Sequence, residues 1–343
     1  MSVYAKFAVL VTCAVLVACN QKKESKVDVV EQRKADSLEM VKKAEEEAKK
    51  KPKTADDIKL TKELSYDKHT LEDTYPYQDT SRRFQLEKIK EKLAFVENFQ
   101  RAPANYGILQ NHKNKNKEAP LVKNYHRNEY TRISDSLGNE RYQSAPVYAV
   151  GETDAPTIYG RDGSLVKLRS TDTLPMIKIE GVSFDGTWEV PKRYVKVIGD
   201  TVQFHRVVFV DVTNQNILTA ERQGDCDWLI RSMNPATTGR HKPPYAQETP
   251  TGLYVVQEKK VKMYYYKDGT TSIEGFAPYA SRFTNGAYVH GVPVNNPKGS
   301  IIEYSWSLGT TPRSHMCVRN ASSHAKFVFD WALKFNALVI VID

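Results

Sequence analysis

What most limits the folds open to this chain is a change of texture near Pro146. From there on, apolar residues come in short runs rich in Val, Ile and Tyr, bounded by Gly, Asp and Pro. Val147–Val150, Leu165–Leu168, Met176–Ile179 and Tyr194–Ile198 come first, with turns predicted at Arg161-Asp162-Gly163 and Phe184-Asp185-Gly186. Runs this short suit strands rather than helices, so the class is mainly β. The pattern strengthens from His205. Val207–Val212 is almost continuously apolar, and Gly252–Gln257 and Val261–Tyr266 are predicted to pair. Lys267-Asp268-Gly269-Thr270 reads as a hairpin turn with its positive-φ position at Gly269. One helix enters late: Ala325, Val328, Phe329, Ala332 and Leu333 share a helical face, with Ser322 or Ser323 as N-cap. A strand over Ala337–Ile342 follows. Residues 201–343 thus read as a mostly β domain of ordinary size with one late helix.

The other end of the chain speaks to compartment. Met1–Lys6 carries one positive charge, and Phe7–Val17 is an 11-residue apolar run. That run is too short for a membrane-spanning helix of about 20 residues. It has the plan of an export signal instead. It ends in Leu16-Val17-Ala18-Cys19, which resembles the lipobox of bacterial lipoproteins. The resemblance implies a signal peptide over residues 1–18 and lipid on the sulfur and amino group of Cys19. Asn20, standing where an aspartate would resemble an inner-membrane retention signal, favours the outer membrane. The expected location is the cell envelope, facing the periplasm and held to the membrane through the lipid on Cys19. Export leaves Cys226 and Cys317 as the thiols, and in an oxidising compartment two cysteines often pair.

Between the ends lie two less distinctive stretches. Asn20 to Lys53 is mostly Lys, Glu, Asp, Gln and Ala, with a thin apolar stripe of Val27, Val30, Leu38, Val41 and Ala48. It reads as a solvated single helix or a weak coiled coil. Pro52 stops it, and Leu86, Ile89, Leu93 and Val96 predict a second helix across Ser81–Phe99. Gln110 to Lys117 reads as a loop. Residues 19–145 are therefore expected to be a lipidated, mostly helical, charged tether. In residues 146–200, Trp188-Glu189-Val190-Pro191-Lys192-Arg193-Tyr194-Val195 resembles the last strands of an SH3-like barrel, with a plain β-hairpin linker as the alternative.

Composition excludes several classes. No run of 18 apolar residues follows the N-terminus, which rules out a polytopic membrane protein. With 17 Gly and 4 Cys, neither a collagen-like chain nor a disulfide framework fits. The net charge is +9, but basic and acidic residues are interleaved. Charge alone suits nucleic acid or an anionic envelope polymer equally well; with an export signal, no nucleic-acid partner is expected.

Four blocks carry the chemistry: Asn234-Pro235-Ala236-Thr237-Thr238-Gly239, Thr249-Pro250-Thr251-Gly252, Val289-His290-Gly291 and Ser314-His315-Met316-Cys317-Val318-Arg319-Asn320. In that order they resemble the L,D-transpeptidase catalytic domain, also called the YkuD domain. The resemblance covers about residues 205–343 and implies a β-sandwich-like catalytic fold acting on peptidoglycan stem peptides. A thiol needs a base or a positive field to become a nucleophile near neutral pH. The resemblance makes Cys317 the nucleophile and His290 its base, with the carbonyl of Gly291 orienting the imidazole. His315, beside Cys317, is the alternative base, or else a residue that holds the loop. Ser314 would fix the loop, and Arg319 would pair with a stem carboxylate, a task suited to guanidinium. The amide of Cys317 and its neighbours would form an oxyanion hole. Of Tyr264-Tyr265-Tyr266, alternation along a strand puts only some on one face, and Tyr265 is the substrate-binding candidate. His205, His241 and His324 read as surface or structural. No metal or cofactor is expected, because the His and Cys residues lack ligand spacing.

The implied chemistry is attack on the third residue of a tetrapeptide stem and transfer to an amine, giving a 3→3 cross-link. With water as acceptor the same site is an L,D-carboxypeptidase, and a decayed site would leave a peptidoglycan-binding lipoprotein. A papain-like arrangement is disfavoured because there the Cys precedes the His. Two features depart from the family. Met316 replaces the usual glycine, costly if that position needs positive φ. His290 and Cys317 are 27 positions apart, wider than usual, and the extra residues, about Asn295–Trp306, would form a flap over the cleft.

Overall fold

A computed structural model describes residues 51–170 and 174–343. The expected signal peptide, Cys19 and most of the charged stretch fall outside the described residues.

Two sheets form the C-terminal domain. The larger has six strands in the order Lys59–Lys62, Asp227–Pro235, Asn216–Gly224, Arg206–Asp211, Ala337–Ile342 and Gly252–Val255. The smaller has four: Glu258–Tyr266, Ile273–Thr284, Ala287–His290 and Val318–Arg319. Val208, Val210, Tyr254, Val339 and Val341 of the first pack with Phe283, Val289 and Val318 of the second and with Val328. Alternate residues of the larger sheet, among them Val207, Phe209, Leu338 and Ile340, face the opposite way into a second core. Both faces of this sheet are thus buried. That is why its central strands read as unbroken apolar runs rather than as an alternation.

The second core is closed by helix α1, Leu86–Gln100, whose Ile89, Leu93, Val96 and Phe99 are buried against the sheet. Beneath it, Glu97 accepts two hydrogen bonds from Arg222, at 2.8 and 2.9 Å, and one from Trp228 Nε1 at 2.8 Å. Here the structure departs from the tether reading. From Lys53 to residue 145 the α-helix is α1 alone; short strands and loops fill the rest. Lys59–Lys62 pairs in parallel with Asp227–Ile230 and extends the catalytic sheet. Charge density misled the reading, because a strand at a sheet edge and a helix lying on a sheet each need only one apolar face. The predicted helix start also moves: Thr80–Arg83 is a strand, paired with Thr74–Tyr77.

Two more details differ. Gly252–Val255 pairs with Ala337–Ile342, while Glu258–Tyr266 pairs with Ile273–Thr284 through the turn at Lys267–Thr270. Val256 and Gln257 carry the chain from one sheet to the other, so the two predicted partners lie in different sheets. The late helix, α2, spans Ser322–Trp331 with Ala321 at the N-cap, because the Ser322 hydroxyl bonds Ile302 O at 2.6 Å instead.

A third large sheet has five strands, ordered Thr187–Pro191, Met176–Gly181, Leu165–Leu168, Tyr106–Leu109 and Val195–Gly199, all antiparallel. A 3₁₀ turn, Lys192–Tyr194, precedes the last strand. The unit draws its fourth strand from well before residue 146. The strand predicted over Val147–Val150 lies earlier, at Ser144–Val147, where it forms a hairpin with Ile158–Arg161; of the predicted run it keeps Val147, and Tyr148 bridges to Glu189.

Candidate active site

The nucleophile loop is built by two segments distant in sequence. Thr237 and Arg319 exchange both backbone hydrogen bonds, each 2.8 Å long. Ser314 N–H donates to Thr238 O at 3.0 Å, and its hydroxyl donates to Cys317 O, closing the loop on itself. Thr249 Oγ1 accepts from Gly239 N–H and donates to Met316 O, both at 2.8 Å. The first two blocks therefore serve as a cradle for the fourth. Met316 has φ +103°, the left-handed side of backbone space, so the residue that replaces glycine carries strain of roughly 1–3 kcal/mol. Gly239 is required by contact rather than by φ. A Cβ there would lie 2.3 Å from Gln247 O, 2.7 Å from Met316 Cα and 2.7 Å from Thr249 N. All three are backbone-anchored and cannot yield cheaply. Gly239→Ala is expected to destabilise the protein by about 3 kcal/mol and to slow Cys317 chemistry, read from a urea melt alongside thiol alkylation.

His290 ends the strand Ala287–His290, which runs parallel to Val318–Arg319 with Val289 opposite Val318 and His290 opposite Arg319. This register sets Cys317 and His290 at the mouth of the same strand pair, and both line one cleft. His290 Nδ1 is 2.6 Å from Gly291 O. A carbonyl only accepts, so Nδ1 carries the proton and Nε2 keeps its lone pair. Burial first, then the nearby Arg319 charge, lowers the His290 pKa to about 3, so the ring is neutral at pH 7. Burial also pushes the Cys317 thiol up, opposed by the amide of Tyr288, which donates to the sulfur, and by Arg319. The thiol itself donates to Gly286 O at 3.5 Å. At rest the site therefore holds a neutral thiol and a neutral imidazole. Cys226 is free as well, in a buried turn where desolvation and then Asp225 raise its pKa.

The cleft has a volume of about 680 Å³ and takes in Tyr265, Ser314, His315 and Arg319 with the pair just described. Tyr265 donates to Asn295 Oδ1 at 2.7 Å. His315 is half-exposed, its Nε2 3.3 Å from Asp268 in the hairpin turn, so it links the nucleophile loop to that turn. The inserted segment supplies one wall through Asn295, Ile302, Tyr304 and Trp306. It is held from outside the four blocks. Glu303 contacts Lys68 at 3.1 Å and His69 at 3.2 Å, the His69 and Tyr304 rings meet tilted with centroids 4.5 Å apart, and just beyond the segment Arg82 donates to Thr310 O at 2.6 Å. Sequence reading missed these partners because they sit in the stretch taken as a tether. It also missed a buried chain behind the nucleophile: Asp162 binds Arg282, Arg282 lies 3.4 Å from Glu258, and Glu258 accepts from Tyr288 Oη at 3.0 Å.

Two further histidines are buried in the neutral form. His324 sits at about 3, mainly through burial, and bonds Ser232 Oγ at 2.9 Å; His112 is also held below its usual range, chiefly by burial. Folded-state pKa values below the unfolded value of about 6.5 mean that the unfolded chain binds more protons as pH falls. The contribution of His290 and His324 to stability is complete above about pH 6.5 and lost on the way down to about pH 3, and that of His112 is lost by about pH 4, by up to about 1.4 kcal/mol per pH unit for each. His241 shifts the other way beside Glu248 but is fully exposed and screened. The urea midpoint is expected to drop between pH 7.5 and pH 5; an unchanged midpoint would contradict the neutral burial of these rings.

A cysteine and a buried, carbonyl-oriented histidine thus share one cleft of a two-sheet domain. The family model of the L,D-transpeptidase catalytic domain, YkuD, matches residues 205–341. No curated protein matches. Among solved structures, a fused Zn-dependent amidase/peptidase/peptidoglycan-binding domain-containing protein from Clostridium acetobutylicum is 16% identical, with 41% of this chain and 53% of that one covered and a TM-score of 0.30. The chain thus spans about half the length of that protein. An L,D-transpeptidase from Mycobacterium smegmatis is 18% identical over 52% of this chain and 82% of its own, with a TM-score of 0.33. One from Mycobacterium tuberculosis H37Rv is 20% identical over 58% and 98%, also at 0.33.

Proposed function

We propose that the protein is a peptidoglycan L,D-transpeptidase. The observation that carries this reading is that Cys317 lines the same cleft as a His290 whose Nδ1–H is committed to Gly291 O, leaving Nε2 free. The thiol turns its proton from Gly286 O to His290 Nε2 as the sulfur attacks the carbonyl of the third residue of a tetrapeptide stem. The amide of Tyr288 steadies the sulfur. The C–N bond to the terminal D-alanine breaks, and the leaving amine takes the proton from His290. A neighbouring stem's amine then displaces the thioester, giving a 3→3 cross-link. Arg319 reads a stem carboxylate, Ser314 holds the loop, and Tyr265 and His315 border the substrate. Water in place of the amine makes the same site an L,D-carboxypeptidase.

The lipobox at Leu16-Val17-Ala18-Cys19 supports anchoring through Cys19 to the outer membrane, facing the periplasm. The full chain incubated with purified disaccharide tetrapeptide and read by mass spectrometry tests the reaction. A cross-linked dimer with loss of D-alanine is expected; D-alanine loss alone marks the carboxypeptidase, and an unchanged substrate removes the enzymatic reading.

A further inference from the structure

The sulfur of Cys317 is held on one side by a turn from another part of the chain. The thiol donates to Gly286 O at 3.5 Å, and Tyr288 N–H donates to the sulfur. Both groups follow the strand Ile273–Thr284, where Asn285-Gly286 turns the chain into Ala287–His290. Just before that turn the register shifts. Arg282 is opposite Tyr288 and Thr284 is opposite Ala287, so Phe283 is an extra residue without a partner in the ladder. A bulge of this kind re-aims the groups beside it, and the backbone it frees needs support from elsewhere.

Here that support comes from outside residues 205–341. The turn Arg161-Asp162-Gly163-Ser164 is pressed so closely on the bulge that a Cβ on Gly163 would lie 2.0 Å from Phe283 O. Asp162 is fully buried. Its Oδ2 accepts from Arg282 and, at 2.8 Å, from Gln257 Nε2, which also donates to Phe283 O at 3.0 Å. Its main-chain carbonyl accepts from Thr284 Oγ1. Its Oδ1 accepts from the N–H groups of Asn111 and His112 at 2.8 and 2.9 Å, which fix the carboxylate to its own unit. One residue thus grips Arg282 and Thr284 directly and Phe283 through Gln257. We propose that Asp162 is a positioning residue for Cys317: by clamping the bulge at Phe283 it sets where Gly286 O and Tyr288 N–H meet the sulfur. Residues 205–341 therefore do not hold their nucleophile unaided; they take part of its support from the unit that precedes them. The proposal rests on the reading of Cys317 as nucleophile and deepens it.

Alkylation of Cys317 by iodoacetamide, located by peptide mass spectrometry, reads the surroundings of the sulfur without substrate. The Tyr288 N–H serves the thiolate through a charge-assisted bond, whereas the bond to Gly286 O serves the thiol and is weak. Loosening the clamp therefore favours the thiol on balance. Asp162→Asn turns an amide NH₂ toward Arg282 and Gln257, and in the full chain it should slow alkylation at pH 7 by roughly tenfold, as the loss of one such bond would give. Loss of a buried negative charge alone would act in the opposite sense, so unchanged or faster alkylation overturns the clamp. Thr284→Val keeps the shape of the side chain and removes one contact. It should give a smaller fall, and it carries the test by itself if Asp162→Asn does not fold; no fall overturns the clamp. Val166→Ala, a buried change in the core of the preceding unit, should lower the urea midpoint and leave alkylation as it was. An equal fall there would make the effect one of general stability and overturn the proposal. Release of D-alanine from the tetrapeptide is scored in parallel, and in Asp162→Asn kcat should fall by about 10- to 100-fold with KM little changed. Slowed alkylation with no release by the unmodified chain keeps the clamp and defeats the reaction. Release by the unmodified chain with alkylation unchanged in both variants defeats the clamp and leaves the reaction standing.

Discussion

Cys317→Ala is expected to abolish thioester formation and acyl transfer, a loss of about 10⁴-fold or more, because no other thiol lines the cleft among the described residues. Cys226→Ala is expected to leave the rate unchanged, since its thiol sits in a separate turn beside Asp225. A carbapenem, a strained acyl donor, should add covalently to Cys317 and be found there by intact-mass spectrometry. An adduct persisting on the Cys317→Ala protein would sink the assignment. Native protein should also carry two free thiols under non-reducing conditions, because a bond between them would consume the nucleophile.

Removing the base should cost less. His290→Ala is expected to slow acylation by about 10²–10⁴-fold, the usual worth of a positioned general base. Its pH dependence is the sharper readout. A neutral thiol beside a neutral imidazole is not a preformed ion pair, so simple alkylation of Cys317 should rise only as pH approaches the raised thiol pKa. Acylation by substrate should instead proceed near neutrality, since the proton moves only as the bond forms. His315→Ala should affect the rate through loop position, its imidazole being engaged with Asp268. If His315→Ala changed the thiol titration and His290→Ala did not, the two histidines would exchange roles.

That His290, Ser314, His315, Cys317 and Arg319 share one cleft was legible because their blocks are local: each holds its turn residue, its hydroxyl or its thiol within a few positions. The positive φ of Met316 followed from asking why glycine is usual there, and the angle is positive. What escaped was assembly at long range. Leu60 opposite Trp228 and His69 beside Glu303 are contacts across more than 160 and 230 positions, and nothing local in a lysine-rich stretch announces them. The pairing error at Gly252–Val255 came from a crossing between sheets that hydrophobic pattern does not encode.

The position of Ala337–Ile342 governs how this molecule can be made. This strand lies inside the six-stranded sheet, between Arg206–Asp211 and Gly252–Val255, yet it is the last of the six to leave the ribosome. Until it arrives, Arg206–Asp211 has an open edge and Gly252–Val255 has no neighbour in the sheet. The sheet therefore closes late, through contacts of high contact order. Until that last segment is in place, the open edge of Arg206–Asp211 is a surface on which another chain could pair.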